Sequence, residues 1–114
     1  VPTALAACGL PADEKLPGIN LIDEQALIAR ENIFGEIFEH DIVDMETPDA
    51  SLMWRWVIHR DYKLIVPTQR VAITVELYDL RNDPQELNNL MMSEPERVQQ
   101  LQTLLDAWWT PSLQ

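Results

Sequence analysis

Apolar and polar residues alternate most clearly between Ser51 and Leu90. In a strand, side chains two apart share a face. One face of the first strand would carry Leu52, Trp54, Trp56 and Ile58, and the other Met53, Arg55, Val57 and His59. Arg60-Asp61 is expected to form a tight turn into a partner strand, Tyr62 to Val66, which Pro67 ends. The pattern predicts a β-hairpin whose tryptophan-rich face must be covered by another element.

Other segments show equally regular patterns, and each predicts one element. Strands are predicted from Ile33 to Phe38 and from Val75 to Leu80, the second closed by a turn at Arg81–Pro84. Short helices are predicted from Pro2 to Cys8 and, capped by Asp23, from Glu24 to about Ala29, with Ile19–Ile22 extended between them.

The C-terminal segment has helical spacing. Ser93 to Glu96 has the form of a capping box, and Pro111 would end the helix after about Trp109. Its apolar residues recur at Val98, Leu101, Leu104, Leu105 and Trp108. We expect this helix to cover Trp54 and Trp56. The predicted fold is therefore α+β, a small antiparallel sheet of about four strands with a C-terminal amphipathic helix packed on one face.

Length and charge limit the function. The chain has 114 residues and a formal net charge of −11, which argues against binding to nucleic acid or to anionic membranes. No apolar run approaches the length of a membrane span. Cys8 is the only cysteine, so neither an internal disulfide nor a cysteine zinc cluster is possible. Val1 is not an initiator methionine and no basic signal region follows it, so we expect a piece of a longer protein.

Two motifs carry a family resemblance. R-W-V-I-x-x-x-Y-K-L-I from Arg55 to Ile65, and E-L-Y-D-L-x-x-D-P-x-E-x-N-N-L from Glu76 to Leu90, resemble the C-terminal subdomain of the sulfatase family. The resemblance implies that residues 1–30 are the end of a catalytic α/β domain and its linker, and that residues 31–114 are the subdomain. The helix that begins at Pro2 would then belong to the absent catalytic domain.

The resemblance also implies an activity for the longer chain. Sulfatases hydrolyse sulfate esters or sulfamates with a formylglycine nucleophile and Ca²⁺, both expected in the N-terminal part, and the family is typically periplasmic, secreted or lysosomal. This chain would wall the substrate cleft, with the N-terminal catalytic domain as partner and a sulfated small molecule or glycan as substrate. The alternatives are a non-catalytic binding or assembly module, or the C-terminal part of a related phosphodiesterase or phosphatase.

The nucleophile and metal of such an enzyme have no counterpart here. The family's nucleophile motif is C/S-x-P/A-x-R, but Cys8 lies in C-G-L-P-A and Ser51 in S-L-M-W-R, so neither would be converted. Asp41 and Asp44 are interpreted as a solvated loop, because Ca²⁺ needs six or more convergent oxygens. We therefore predict no catalytic residue and no metal ligand in this chain, and no activity for the chain alone.

His40 and Asp41 are the predicted substrate-binding residues. They follow a strand end, where loops often carry function, and the resemblance implies that this loop faces the catalytic cleft. The His40 imidazole could bond a substrate hydroxyl or sulfate, with Asp41 orienting the ring. The alternative is a loop histidine that bonds only its neighbours.

Four further residues are interpreted as structural. Arg55 and Lys63, both placed on the face away from the tryptophans, are expected to form ion pairs rather than an anion site. Trp54 and Trp56 are interpreted as core rather than a sugar platform. His59 is interpreted as a surface residue.

Overall fold

In the computed structural model, residues 1–111 are described, and the chain divides between Glu31 and Asn32 into two compact units. The first unit contains helices α1 (Pro2–Ala7) and α2 (Glu24–Ala29). The second contains strands β1 (Asn32–Phe38), β2 (Leu52–His59), β3 (Tyr62–Pro67) and β4 (Glu76–Asp79), a short 3-10 helix (Pro48–Ser51), and helix α3 (Pro95–Trp108).

The four strands form one antiparallel sheet in the order β1-β2-β3-β4. Each strand pairs with its neighbour along the chain, so the sheet is a simple meander. The turn between β2 and β3 contains only Arg60 and Asp61, because His59 pairs directly with Tyr62. Arg60 adopts a φ of 53°, as a two-residue hairpin turn requires. The predicted α+β fold, with four strands and a C-terminal helix on one face, is confirmed.

A β-bulge interrupts the pairing of β1 with β2. Ile37 pairs with Trp54, but the next residue, Phe38, pairs with Leu52, so Met53 is the extra residue. Bulges bend a strand and are common beside functional loops. This one lies at the mouth of the connection between β1 and β2.

The core lies between the sheet and α3. Its fully buried members are all aliphatic: Val57, Leu64, Leu77, Leu101 and Leu105. Val57 pairs with Leu64, which pairs with Leu77, so the three strand residues form one row across β2, β3 and β4. Leu101 and Leu105, one turn apart on α3, pack on this row.

The helix therefore covers the face opposite to the one predicted. Trp54 and Trp56 are half-buried on the other face, so their predicted packing under α3 is wrong. The reason is non-local. On the tryptophan face, Lys63 lies opposite Ile58 and Glu76 opposite Ile65. The Val57 row, which continues to Phe34 on β1, is apolar throughout.

Trp108 also lies on the Val57 face of the sheet and not over Trp54 and Trp56. Its ring stacks on Phe34 of β1, with centroids 5.1 Å apart and planes within 8°, and the residue is 41% exposed. Leu101 is buried as predicted, at 2% exposure, but against the Val57 row.

Two local predictions are also wrong. Glu94, not Ser93, precedes the first turn of α3, and the Ser93 hydroxyl donates to the Leu90 carbonyl instead of capping the helix. Pro95 takes the first helical position, where its missing N–H costs nothing. Leu21 and Ile22 form a turn, not an extended segment, in which Asn20 accepts from the Ile22 N–H.

The segment after β4 is held by its own polar side chains, as the turn chemistry predicted. Asp83 accepts from the Asn88 N–H at 2.8 Å. The Asn89 side chain accepts from the backbone N–H of Leu77 and of Met91. These bonds account for the D-P-x-E-x-N-N-L motif without any ligand.

The N-terminal unit has defined local structure but no core of its own. Asp23 caps α2 as predicted, accepting from two backbone N–H groups, and the Thr3 hydroxyl accepts from the Leu21 N–H at 3.0 Å. None of residues 1–31, all of which the structure describes, is buried. Its large exposed apolar residues are Val1, Leu10, Leu21, Ile22, Leu27 and Ile28.

Candidate functional site

The predicted site residues lie on the connection between β1 and β2, residues 39–51, which we call the His40 loop. The Glu39 N–H donates to the Ser51 carbonyl at 2.7 Å and so closes the loop at its base. The Ser51 hydroxyl accepts from the Val43 N–H at 3.0 Å, and Ser51 is only 5% exposed. The loop is therefore folded back on a buried serine at its C-terminal end.

His40 and Asp41 project from this loop into solvent. Their side chains are 102% and 98% exposed, and the His40 Nδ1 lies 3.4 Å from an Asp41 carboxylate oxygen. A carboxylate at Nδ1 favours the proton on that nitrogen and leaves Nε2 to meet a partner. The geometry allows the predicted hydrogen bond to a substrate, because the His40 side chain is fully exposed.

Arg70 joins the two ends of the His40 loop. Its guanidinium donates to the Glu39 carboxylate, which follows β1, and to the Ala50 carbonyl, which precedes β2. Sequence reasoning missed Arg70. No local pattern marks it, because Glu39 is 31 residues away along the chain.

A small cavity of about 260 Å³ lies against the same loop. Its lining is mostly apolar and comprises Phe38, Glu39, Ile42, Asp44, Met45, Pro48 and Ser51. Ile42 and Met45 are themselves 71% and 86% exposed. The loop thus combines an accessible imidazole with an exposed apolar surface.

The loop is acidic. It carries Glu39, Asp41, Asp44, Glu46 and Asp49 and contains neither lysine nor arginine. The pair with Arg70 compensates the Glu39 charge only. A free anion is therefore not attracted by the field of this loop, and hydrogen bonding to an uncharged group suits it better.

Over residues 1–111, the structure shows no grouping of side chains suited to a metal ion. Among residues 1–111, no three His, Cys, Asp or Glu side chains converge on one point. Asp44 accepts from the Glu46 N–H at 2.9 Å and so serves its own turn. Cys8 is exposed in the N-terminal unit, and Ser51 is engaged with Val43. In the same part of the chain, no helix has the length and apolar character needed to cross a membrane.

The two predicted ion pairs are present, but on opposite faces. Arg55 donates to Asp106 of α3 at 2.9 Å and is buried, whereas Lys63 contacts Glu86 at 2.9 Å on the tryptophan face, opposite Ile58. The prediction that both cations share the face away from the tryptophans is therefore wrong for Lys63.

His59 is not a simple surface residue. It is half-buried, and its Nδ1 lies 2.6 Å from the Asn32 side-chain oxygen, which ties the end of β2 to the start of β1.

Tyr78, Asp79 and Arg97 have shifted pKa values. Burial and the nearby Glu76 raise the pKa of Tyr78. Hydrogen bonds lower the pKa of Asp79, and the bond from the Asn82 side chain has the largest effect. A hydrogen bond to Glu94 raises the pKa of Arg97, which also lies 3.8 Å from the centre of the Tyr62 ring. Tyr78 and Asp79 lie on β4, and Arg97 lies on α3.

Comparison with solved structures adds the larger context. The structure of BT4656 in complex with its substrate D-glucosamine-2-N,6-O-disulfate superposes with a TM-score of 0.68 at 21% identity, over 94% of this chain and 22% of that one. The "putative sulfatase yidJ" from Bacteroides fragilis superposes with a TM-score of 0.65 at 20% identity, over 94% of this chain and 23% of that one. The chain has the fold of a sulfatase segment.

A third structure, described under glycosaminoglycan metabolism by Bacteroides thetaiotaomicron, superposes with a TM-score of 0.61 at 22% identity, over 93% of this chain. No protein-family model and no curated protein matches the chain. The chain spans 22–23% of the length of these three sulfatase-fold structures. At this identity the likeness is one of fold, and it confirms the resemblance carried by the two sequence motifs.

Proposed function

We propose that this chain is the C-terminal part of a sulfatase, in which it walls one side of the cleft that binds a sulfate ester or sulfamate. The supporting observation is the fold likeness, which covers 93–94% of this chain but only 22–23% of the sulfatase-fold structures. The formylglycine nucleophile and Ca²⁺ belong, in this proposal, to an N-terminal part of the longer chain. This chain contributes a rigid sheet that presents the His40 loop.

The N-terminal unit supports the same proposal. Residues 1–31 bury no side chain, yet they fold into two capped or proline-initiated helices and expose several large aliphatic residues. A segment of this kind gains little hydrophobic stabilisation alone. We assign residues 1–30 to the end of the catalytic domain and its linker, and residues 31–114 to the subdomain.

No residue of this chain performs the sulfate chemistry in this proposal. Cys8 and Ser51 both depart from the nucleophile motif, and among residues 1–111 there is no metal-binding group. The purified chain should therefore release no product from nitrophenyl sulfate. Hydrolysis of nitrophenyl sulfate by the contaminant-free chain would contradict the proposal that the sulfate chemistry belongs to the N-terminal part.

His40 acts on the leaving group rather than on the sulfate. Its imidazole is fully accessible, and Asp41 lies 3.4 Å from Nδ1. The negative charge of the loop repels anions. The expected partner of His40 is therefore a sugar hydroxyl or another uncharged polar group. The substrate class proposed for the longer enzyme is a sulfated glycan or small sulfated sugar.

The test is the change His40→Ala in the longer enzyme. We use D-glucosamine-2-N,6-O-disulfate as the sulfated-sugar probe and nitrophenyl sulfate as the small aryl probe. kcat/KM for the sulfated-sugar probe should fall about ten-fold, which corresponds to about 1.4 kcal/mol of lost transition-state binding. kcat/KM for the aryl probe should stay within about two-fold, because it has no sugar hydroxyl to reach the loop.

His40→Gln is the matched variant, since its side-chain amide keeps a hydrogen-bond donor. It should retain part of the activity lost in His40→Ala. Equal losses on both probes would indicate a folding defect, and unchanged activity on both would reduce His40 to a surface residue.

A further inference from the structure

We infer that Arg70 is a positioning residue, which holds the two ends of the His40 loop to a turn anchored at the start of β2. This inference rests on the proposed role of His40. It concerns a residue outside the loop and outside both sequence motifs. Arg70 touches no reacting group and acts through Glu39 and Ala50.

Arg70 itself stands on a turn that is anchored to the sheet. After β3 ends at Pro67, the Thr68 N–H donates to the Met53 carbonyl at 2.9 Å, and the Thr68 hydroxyl donates to the Leu52 carbonyl at 3.0 Å. The Val71 N–H then donates back to the Thr68 carbonyl at 3.1 Å. The first two bonds hold Thr68 to the bulged start of β2, and the third closes the turn that carries Arg70.

The guanidinium spans the base of the loop from that anchor. One terminal nitrogen donates to the Glu39 carboxylate and the other to the Ala50 carbonyl. A planar guanidinium can make both bonds at once in a fixed geometry, whereas a lysine ammonium on a flexible stem is a single point charge. The two bonds set the separation of Glu39 and Ala50, and therefore the direction in which His40 leaves the sheet.

Two bonds to Ser51, from the Glu39 N–H and the Val43 N–H, also hold the loop, but its outer residues are exposed. His40, Asp41, Ile42 and Met45 are all exposed, and segments with few buried contacts open at low free energy. The Arg70 and Glu39 side chains are 38% and 41% exposed. An ion pair this exposed adds little to global stability, so its effect should be confined to the position of the loop.

The experiment compares Arg70→Met with the control Arg81→Met in the longer enzyme. Arg81 also pairs with a carboxylate, Asp61 at 3.0 Å, but at the opposite end of β2. In Arg70→Met, we expect kcat/KM for the sulfated-sugar probe to fall about ten-fold, mainly through KM, because a displaced imidazole loses its contact. Arg70→Lys should lose less. The aryl probe should be cleaved as before in every variant, and Arg81→Met should match the wild type on both probes.

A double-variant cycle identifies the route. If Glu39 acts on the loop only through Arg70, then Glu39→Gln should add no loss beyond about two-fold to that of Arg70→Met. Multiplicative losses would overturn that route, and an unchanged KM for the sulfated-sugar probe in Arg70→Met would overturn the inference as a whole.

Amide hydrogen exchange separates the inference from the proposed function. The Val43 N–H, bonded to the Ser51 hydroxyl, should exchange at least several-fold faster in Arg70→Met, while Leu64 in the core should not change. A longer enzyme that hydrolyses no sulfate ester would defeat the proposed function. Equal Val43 exchange in Arg70→Met and Arg81→Met would defeat the role of Arg70, whatever the activity.

Discussion

The guanidinium of Arg55, on β2, is buried beneath α3 and donates to the Asp106 carboxylate at 2.9 Å. Its other terminal nitrogen donates to the Trp109 carbonyl at the end of the same helix. The Arg55 side chain is 7% exposed, so water cannot solvate its charge well if the Asp106 carboxylate is removed. This cation fixes where the C-terminal end of α3 meets the sheet.

Replacing Asp106 by Asn should therefore destabilise the chain. The buried guanidinium would keep a neutral partner but lose the charged one, and we expect the free energy of unfolding to fall by about 2 kcal/mol. Urea unfolding followed by tryptophan fluorescence measures the change. Glu86→Gln is the matched control, because the Lys63–Glu86 pair is 23% and 32% exposed and its loss should cost under about 1 kcal/mol. Equal effects of the two changes would refute the special status of the Arg55 pair.

Leu101 offers a test of the core itself. It is 2% exposed and packs with Leu105 against the Val57 row, so Leu101→Ala should leave a cavity and cost about 2–5 kcal/mol. Leu87→Ala is the control, since Leu87 is 74% exposed and should change the unfolding midpoint very little. A small effect at Leu101 would mean that α3 is not docked as described.

Local chemistry made most of the elements predictable from the sequence. The cap at Asp23, the two-residue turn at Arg60-Asp61 and the bonds after β4 from Asn88 to Asp83 and from Met91 to Asn89 each join residues a few positions apart. The strand periods were likewise readable, and so was the amphipathic C-terminal helix.

The choice of face was not predictable in the same way. Trp54 and Trp56 dominate the alternation of β2, but the helix packs where Val57, Leu64 and Leu77 line up across three strands. That row exists only once the register is known. Arg70 was missed for the same reason, since its carboxylate partner Glu39 lies 31 residues away.

The position of His40 and Asp41 at a strand end was predictable, because the strand pattern stops at Phe38. Their joint exposure and the closure of the loop on Ser51 were not, since both depend on how the backbone folds back.

Asp79 should make stability depend on pH in acid. Its carboxylate accepts from the Asn82 side chain at 2.7 Å and from the backbone N–H groups of Arg81 and Asn82, which hold its pKa below the ordinary value of 3.8. Asp79 therefore binds a proton more readily in the unfolded chain than in the folded chain. The stabilisation is therefore present above about pH 4 and is lost as the pH falls through the lower, folded pKa.

The measurement is the difference in urea midpoint between the wild type and Asp79→Ala. The difference should be largest near neutral pH and should narrow as the pH falls below about 4. A difference that stays constant into acid would show that the charge of Asp79 does not stabilise the turn.

Gly35 and Trp56 give the sharpest test of packing on the tryptophan face of the sheet. They are direct partners across β1 and β2, and a Cβ added at Gly35 would lie 2.3 Å from Cζ2 of the indole. The ring therefore lies across the glycine backbone and occupies the place of the missing side chain. Gly35→Ala should force the rigid indole away and lower the free energy of unfolding by about 1–3 kcal/mol.

A second change shows whether the clash is the cause. Trp56→Leu removes the ring, so Gly35→Ala should cost much less in that background than in the wild type, a coupling that a double-mutant cycle measures. An intrinsic backbone cost at Gly35 would be the same in both backgrounds, because it does not depend on the residue opposite. Since alanine generally suits a strand better than glycine does, Gly35→Ala should even become neutral or favourable once the indole is gone. Equal losses in the two backgrounds would mean that the close approach of Trp56 is not what makes glycine necessary at this position.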